Sequence, residues 1–526
     1  MSRLMALITC TVLLCAVPAC RTQAEESSVR ENGGFQYVVQ EDGTAKIVGY
    51  TEDQNSDDSL DRTLELYLPS LLDGYTVTAI GEESFGDYFW AGSIFVPKTI
   101  VSIESKALNL SRVESIFVLP GNPVYESVGG VLYDKTKKML HSYPGGRWSE
   151  RYSVRKGTLS IGEDAFYGCY GLKKVELPEG LMEIGDRAFL YCESLTEAAL
   201  PQSLVRIGEE AFCFCEGLME IVIPANVSDI GAKAFSMCRN MKAISVATEN
   251  SSYTAVDGVL FTENGKRLHA YPGNRNDAQF SVPESVEYIS DEAFIGSVYL
   301  QKVVISAGIK SIGHAAFAVC EKLKEVEVME GNSAYHDEDG VLFCTDSNRL
   351  EAYPAGRMDT AYEIPAGTLA VGEGAFSSCF ALVDITVPGS VLLLDEFAFY
   401  QCTGLKEISL PSGITKIAKN TFADCFSLTN VTIPDSVKEI GEGAFRSCYS
   451  LDEVYLPEGL QSIGKRAFQW CSELMGVFVP DSVTRIEKDA FWGCEQLILE
   501  VMQHSAGHTF AQSNEMDYTI HPGWLK

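Results

Sequence analysis

The sequence predicts a β-rich solenoid, on three observations: a fixed short period, a column of cysteines and a strand-like alternation at one place in every period. From Ile161 the phrase Ile-Gly-x-x-Ala-Phe-x-x-Cys-x-x-Leu-x-x-Val-x-Leu-Pro returns every 23 residues. Its first apolar residue falls at Ile161, Ile184, Ile207, Ile230, Ile289, Ile312, Val371, Leu394, Ile417, Ile440, Ile463 and Ile486. Ile80 and Ile103 begin the series with weaker matches, which makes 14 copies. Units this short bury their apolar faces only against their neighbours, so the chain grows as one continuous core.

The second observation concerns thiols. Of 16 cysteines, Cys10, Cys15 and Cys20 lie near the N-terminus and 11 of the other 13 occupy one repeat position. These are Cys169, Cys192, Cys215, Cys238, Cys320, Cys379, Cys402, Cys425, Cys448, Cys471 and Cys494; Cys213 and Cys344 lie elsewhere. Equivalent side chains on neighbouring rungs stand about 4.8 Å apart, wider than the Cβ separation of about 3.8 Å that a disulfide prefers. The column therefore reads as stacked, buried free thiols. No Cys-x-x-Cys pair or nearby histidine accompanies it as a zinc site would require.

The third observation is visible in a single coil. Lys173 to Leu177 alternate as a strand, with Val175 and Leu177 inward and Lys174 and Glu176 outward, and Pro178 ends it. Before it, Gly162 is expected to turn the chain into a short helical segment, Glu163 to Cys169. Phe166 and its equivalents Phe189, Phe212, Phe235 and Phe317 should stack along the core.

Three coils are longer, spanning 58, 59 and 59 residues, with inserts near 119–158, 247–286 and 329–368. Each carries the same module: Asn122 to Tyr125, Gly130 to Tyr133 and Tyr143-Pro144, repeated from Asn250 and from Asn332. Asp257-Gly258 and Asp339-Gly340 favour tight turns, so each module reads as a β-hairpin insertion, either widening the solenoid or displaying an edge. Residues 25–79 read as an N-terminal β cap, 80–497 as the solenoid and 498–526 as a C-terminal cap with a short helix and a last strand.

Arg3 followed by the apolar stretch Leu4 to Val17 reads as an export signal over residues 1–20. Val17-Pro18-Ala19-Cys20 is similar to a bacterial lipobox, which would make Cys20 the lipidated residue; ordinary cleavage near Thr22 to Ala24 is the alternative. The net charge of −31 disfavours nucleic acid and anionic membrane. Membrane association is expected only through a lipid anchor.

The repeat phrase resembles the leucine-rich repeats of the BspA-like family of bacterial surface proteins, the 23-residue type also seen in a treponemal protein. The resemblance covers about residues 80–500. It implies a leucine-rich-repeat solenoid with parallel strands on its concave side and short helical turns on the other. It also implies an outer-surface location and a role in adhesion.

No constellation of converging catalytic groups stands out, so no enzyme activity, cofactor or metal is expected. His504 and His508 stand four apart but lack the glutamate of a zinc-protease motif. Asp53-x-Asn55-x-Asp57 begins like a calcium loop, yet Asp58 stands where glycine is needed and Leu64 where glutamate is. Recognition is expected instead on the outward strand positions of the concave face. Glu197, Glu220, Glu325, Glu407 and Glu453 form an acidic row with Lys174, Lys302 and Asp384 among them. Tyr455 and Phe478 near one end, and Phe95 and Phe117 near the other, supply aromatic anchors. The expected function is a non-enzymatic surface protein that binds a host-matrix or bacterial protein through this face. A glycan-binding or structural envelope scaffold is the alternative.

Overall fold

A ladder of two-residue strands runs through the solenoid, and the first apolar residue of each repeat phrase sits in it. Ser160–Ile161, Glu183–Ile184, Arg206–Ile207 and Asp229–Ile230 pair in parallel, with Ile161, Ile184, Ile207 and Ile230 in register. The computed structural model describes residues 29–51, 65–82, 84–85, 90–108, 112–487 and 489–521. The export signal, Cys20 and the Asp53 loop lie outside the described residues. A second ladder is built from the longer strands. Lys174–Glu176 pairs with Glu197–Ala199, and an eight-stranded stretch runs from Ala361–Glu363 to Tyr518–Ile520. The parallel solenoid expected from the period is therefore present.

The segment expected to be helical is a third column, made of consecutive turns. In the coil from Ile161, the N–H groups of Ala165, Tyr167 and Cys169 donate locally to the carbonyls of Gly162, Asp164 and Phe166. The alternate N–H groups, of Asp164, Phe166 and Gly168, donate to Asp186, Ala188 and Leu190 of the next coil at 3.0, 2.7 and 2.9 Å. A helix keeps its bonds inside one segment; here half of them bind neighbours. Two residues per coil adopt positive φ to allow this, Asp164 and Gly168 here, Arg187 and Tyr191 in the next, Asn420 and Asp424 further on. Most are not glycine, so stacking supports a backbone conformation that costs about 1 kcal/mol or more per residue. The one α-helix among the described residues is Ala506–Ser513, capped at its N-terminus by Ser505.

The phenylalanines of this column form the core. Phe376, Phe399, Phe422, Phe445, Phe468 and Phe491 stack with centroids 5.2 to 5.4 Å apart. Phe510 of the helix closes the stack edge-on at 6.1 Å. The motif glycine, expected to turn the chain into a helical segment, serves close approach between coils. A Cβ on Gly464 would lie 2.7 Å from the backbone nitrogen of Glu442 in the preceding coil.

Each insert is a hairpin followed by one whole extra coil. Tyr125–Val128, Val131–Asp134 and Met139–Ser142 form an antiparallel meander. The third of these strands then enters the short ladder, with Leu140 opposite Ile161, while Arg151–Ser153 enters the long one opposite Lys174–Glu176. Tyr143, Tyr271 and Tyr353 take the phenylalanine place in these coils, 5.0, 5.1 and 5.2 Å from Phe166, Phe294 and Phe376.

The hairpin caps the ladders that it interrupts. The hydroxyls of Tyr125, Tyr253 and Tyr335 accept the N–H of Ile103, Ile230 and Ile312 at 2.9, 2.7 and 2.8 Å. The turn carbonyls of Gly130, Gly258 and Gly340 accept from Ile116, Ile244 and Val326, each at 2.9 Å. Asn122, Asn250 and Asn332 tie the hairpin down, each amide NH2 group donating to two carbonyls of the preceding coil.

The extra coil has two residues fewer on its turn side, three from Leu140 to Tyr143 against five from Ile161 to Phe166. The flanking turn columns consequently meet across it. Lys233 Nζ lies 3.0 Å from Glu292, and His314 Nδ1 lies 3.6 Å from Glu373. The turn columns on either side of the second and third inserts are thereby linked. Tyr191 also lies within electrostatic reach of Tyr400 and Arg446, far along the chain.

Candidate binding face

The outward positions of the long strands lie in straight rows because the ladder register is exact to one residue over many rungs. At the N-terminal end Tyr67, Phe95 and Phe117 are paired in register across three strands. Their rings stack at 4.2 Å and 5.4 Å, within 5° and 24° of parallel. Tyr67 and Phe117 are exposed and Phe95 is half-buried between them. Phe95 and Phe117 come from the repeat register. Tyr67 escapes it, because its strand belongs to the segment read as a cap. The Leu64-Glu-Leu-Tyr-Leu alternation was the available signal.

The acidic row is real in register and broken in charge. Glu197 lies beside Lys174, with Nζ 2.6 Å from its carboxylate, and that ammonium holds the carboxyl below its ordinary value. Lys302 bridges Glu325 at 2.8 Å and Glu327 at 2.5 Å. Glu220, Glu407 and Glu453 are exposed. Glu407, Asn430 and Glu453 follow one another on paired strands. The row ends at Gly476, and Ile498 follows, exposed.

At the C-terminal end the two expected aromatics differ. Tyr455, just past the strand Glu453–Val454, is 70% exposed, and its hydroxyl donates to Glu453. Phe478 is half-buried, its ring 5.0 Å from that of His521. The two do not form the open pair that adjacent positions implied. Met475 and Ile498, in the two coils that follow, are exposed. His508 Nδ1 accepts the N–H of His504, a contact that belongs to the helix start. No group of three or more potential metal ligands gathers among the described residues.

These features define a solenoid of leucine-rich coils whose outward strand rows run in register. The profile described as a BspA type leucine rich repeat region matches residues 150–263, 269–346 and 370–498, in six copies. The chain belongs to that family. Among solved structures it is similar to a leucine rich cell surface protein from Faecalibacterium prausnitzii A2-165, at 23% identity over 77% of this chain and 94% of that one, with a TM-score of 0.35. A leucine-rich repeat protein from Eubacterium ventriosum is 20% identical over 84% of this chain and 94% of that one, with a TM-score of 0.36. The pneumococcal vaccine antigen PcpA is 18% identical over 94% of this chain and 99% of that one, with a TM-score of 0.36. No curated protein matches the chain.

Proposed function

We propose that this is a non-enzymatic bacterial cell-surface protein that binds a protein partner, of host matrix or bacterial origin, through the outward face of its long strands. The observation that carries the reading is the exposed, stacked column of Tyr67, Phe95 and Phe117. Aromatic side chains anchor interfaces because they bury a large area at small entropic cost. Glu220, Glu407 and Glu453 give the same face an acidic middle suited to a basic partner. In this reading export follows from the N-terminal signal, and lipidation of Cys20 holds the chain on the outer envelope.

The test is binding of the full chain to a panel of extracellular-matrix proteins and to a glycan array. Phe95→Ala with Phe117→Ala, and separately Tyr455→Ala, probe the two ends. At least one end is expected to lose tenfold or more in affinity for a protein ligand. Unchanged affinity in both would overturn the face, and binding to glycans alone would favour the scaffold or glycan reading. Mass spectrometry of the mature N-terminus reports whether Cys20 carries lipid.

A further inference from the structure

In the turn column the inter-coil bonds of the alternate backbone N–H groups all point the same way, from each coil to the next. The carbonyls of Ala490 and Trp492 accept from Phe468 and Trp470 at 2.7 and 2.8 Å, as each coil accepts from the one before it. In the last coil the corresponding donors are the N–H groups of Asp489, Phe491 and Gly493. Among the described residues no carbonyl accepts from them. They face a cavity of about 340 Å³ that occupies the place of one more coil. Its near wall is Asp489 to Leu497, and its far wall is Phe510 with Asn514 to Asp517 of the cap.

We infer that this cavity is a binding site for a neutral sugar, separate from the strand face. Its volume falls in the range of about 300–1,000 Å³ usual for small-molecule sites. An edge of parallel N–H groups carries partial positive charge, as a helix N-terminus does, and offers donors without acceptors. The side chains around it supply the opposite set, with carboxylates at Asp489, Glu495, Glu515 and Asp517. Those carboxylates repel an anion, and an ammonium has no acceptor to offer the donor edge. A hydroxyl accepts from an N–H and donates to a carboxylate at once, so adjacent hydroxyls satisfy both walls. Trp492, 43% exposed and set edge-on to Trp470 at 4.5 Å, offers an aromatic surface to the C–H groups of a pyranose.

The experiment titrates the full chain with D-glucose, D-galactose and N-acetyl-D-glucosamine, and with D-glucuronate and D-glucosamine as charged counterparts, by calorimetry and saturation-transfer NMR. Millimolar binding of at least one neutral sugar is expected, with both charged counterparts at least tenfold weaker. Trp492→Ala and Asp489→Asn should each weaken it about tenfold, while Tyr455→Ala leaves it unchanged. Asparagine tolerates the positive φ of residue 489, and Trp492→Phe serves if the alanine variant does not fold. No binding by any neutral sugar, equal binding of the charged ones, or insensitivity to both substitutions would overturn the site. None of these results bears on the strand face, whose ligand is assayed separately.

Discussion

The thiol of Cys192 donates to the main-chain carbonyl of Phe166, 3.1 Å away in the preceding coil. Ten of the eleven column cysteines make the same contact 26 residues back, through to Cys494 and Phe468 at 3.1 Å. Cysteine suits this place because it is small, apolar and still a weak donor.

All thirteen cysteines of the described residues are unpaired, and only Cys344 is not buried. Burial pushes the thiols of Cys238 and Cys320 up to about 12. Native protein near neutral pH should therefore react with a thiol reagent at Cys344 at most, because the thiolate is the reactive form. Denaturation without reductant should release the rest; recovery of only two or three thiols would mean disulfides. Cys425→Ala should cost about 1–2 kcal/mol, for the lost contact and a small cavity, read from denaturant midpoints.

Tyr335→Phe should destabilise by about 1–3 kcal/mol, since it leaves the N–H of Ile312 without its acceptor. Tyr253→Phe should do the same at Ile230. Hydrogen exchange gives the sharper readout: Ile312 and Ile230 should each lose protection only in their own variant. Uniform loss would mean that the hydroxyl does not cap the ladder.

Gly464→Ala should cost about 3 kcal/mol or prevent folding, because its Cβ meets backbone rather than a movable side chain. Gly389→Ala is the control, since its Cβ meets nothing within 4 Å and its φ is not positive. Equal melting temperatures for the two variants would remove close approach as the reason for the motif glycine.

Lys233 lies among Glu210, Glu292 and Glu373, with Glu396 and His314 close to Glu373. Burial pushes the Glu210 and Glu373 carboxyls up. A carboxyl raised above its unfolded value is protonated more readily in the folded state, so its ionisation weakens the fold as pH rises through the folded value. Lys233→Met removes the cation that offsets this. It should cost about 2 kcal/mol near pH 8, below the 3–5 kcal/mol of fully buried pairs, and less near pH 5. A loss that grows on acidification would contradict the assignment.

By itself the sequence determined the period, the membership of each column and the outward rows of the long strands. A stacked repeat writes the same nearest-neighbour contact once per coil, so Ile161, Phe166, Cys169 and Val175 announce their places by recurring. Phe95, Phe117 and Tyr455 were legible for that reason. Only the tertiary structure decided what depends on partners outside the phrase. Arg187 and Tyr191 adopt positive φ because the next coil accepts their N–H groups, which no local preference signals. Tyr143 continues the phenylalanine stack from within an insert, and Tyr67 joins the aromatic column from within a cap. Phe478 is half-covered by His521, and Lys233 meets Glu292 across an inserted coil. Tyr143 meets Phe166 at the period but from outside the phrase, and the other contacts join residues at separations other than the period, so only folding shows them.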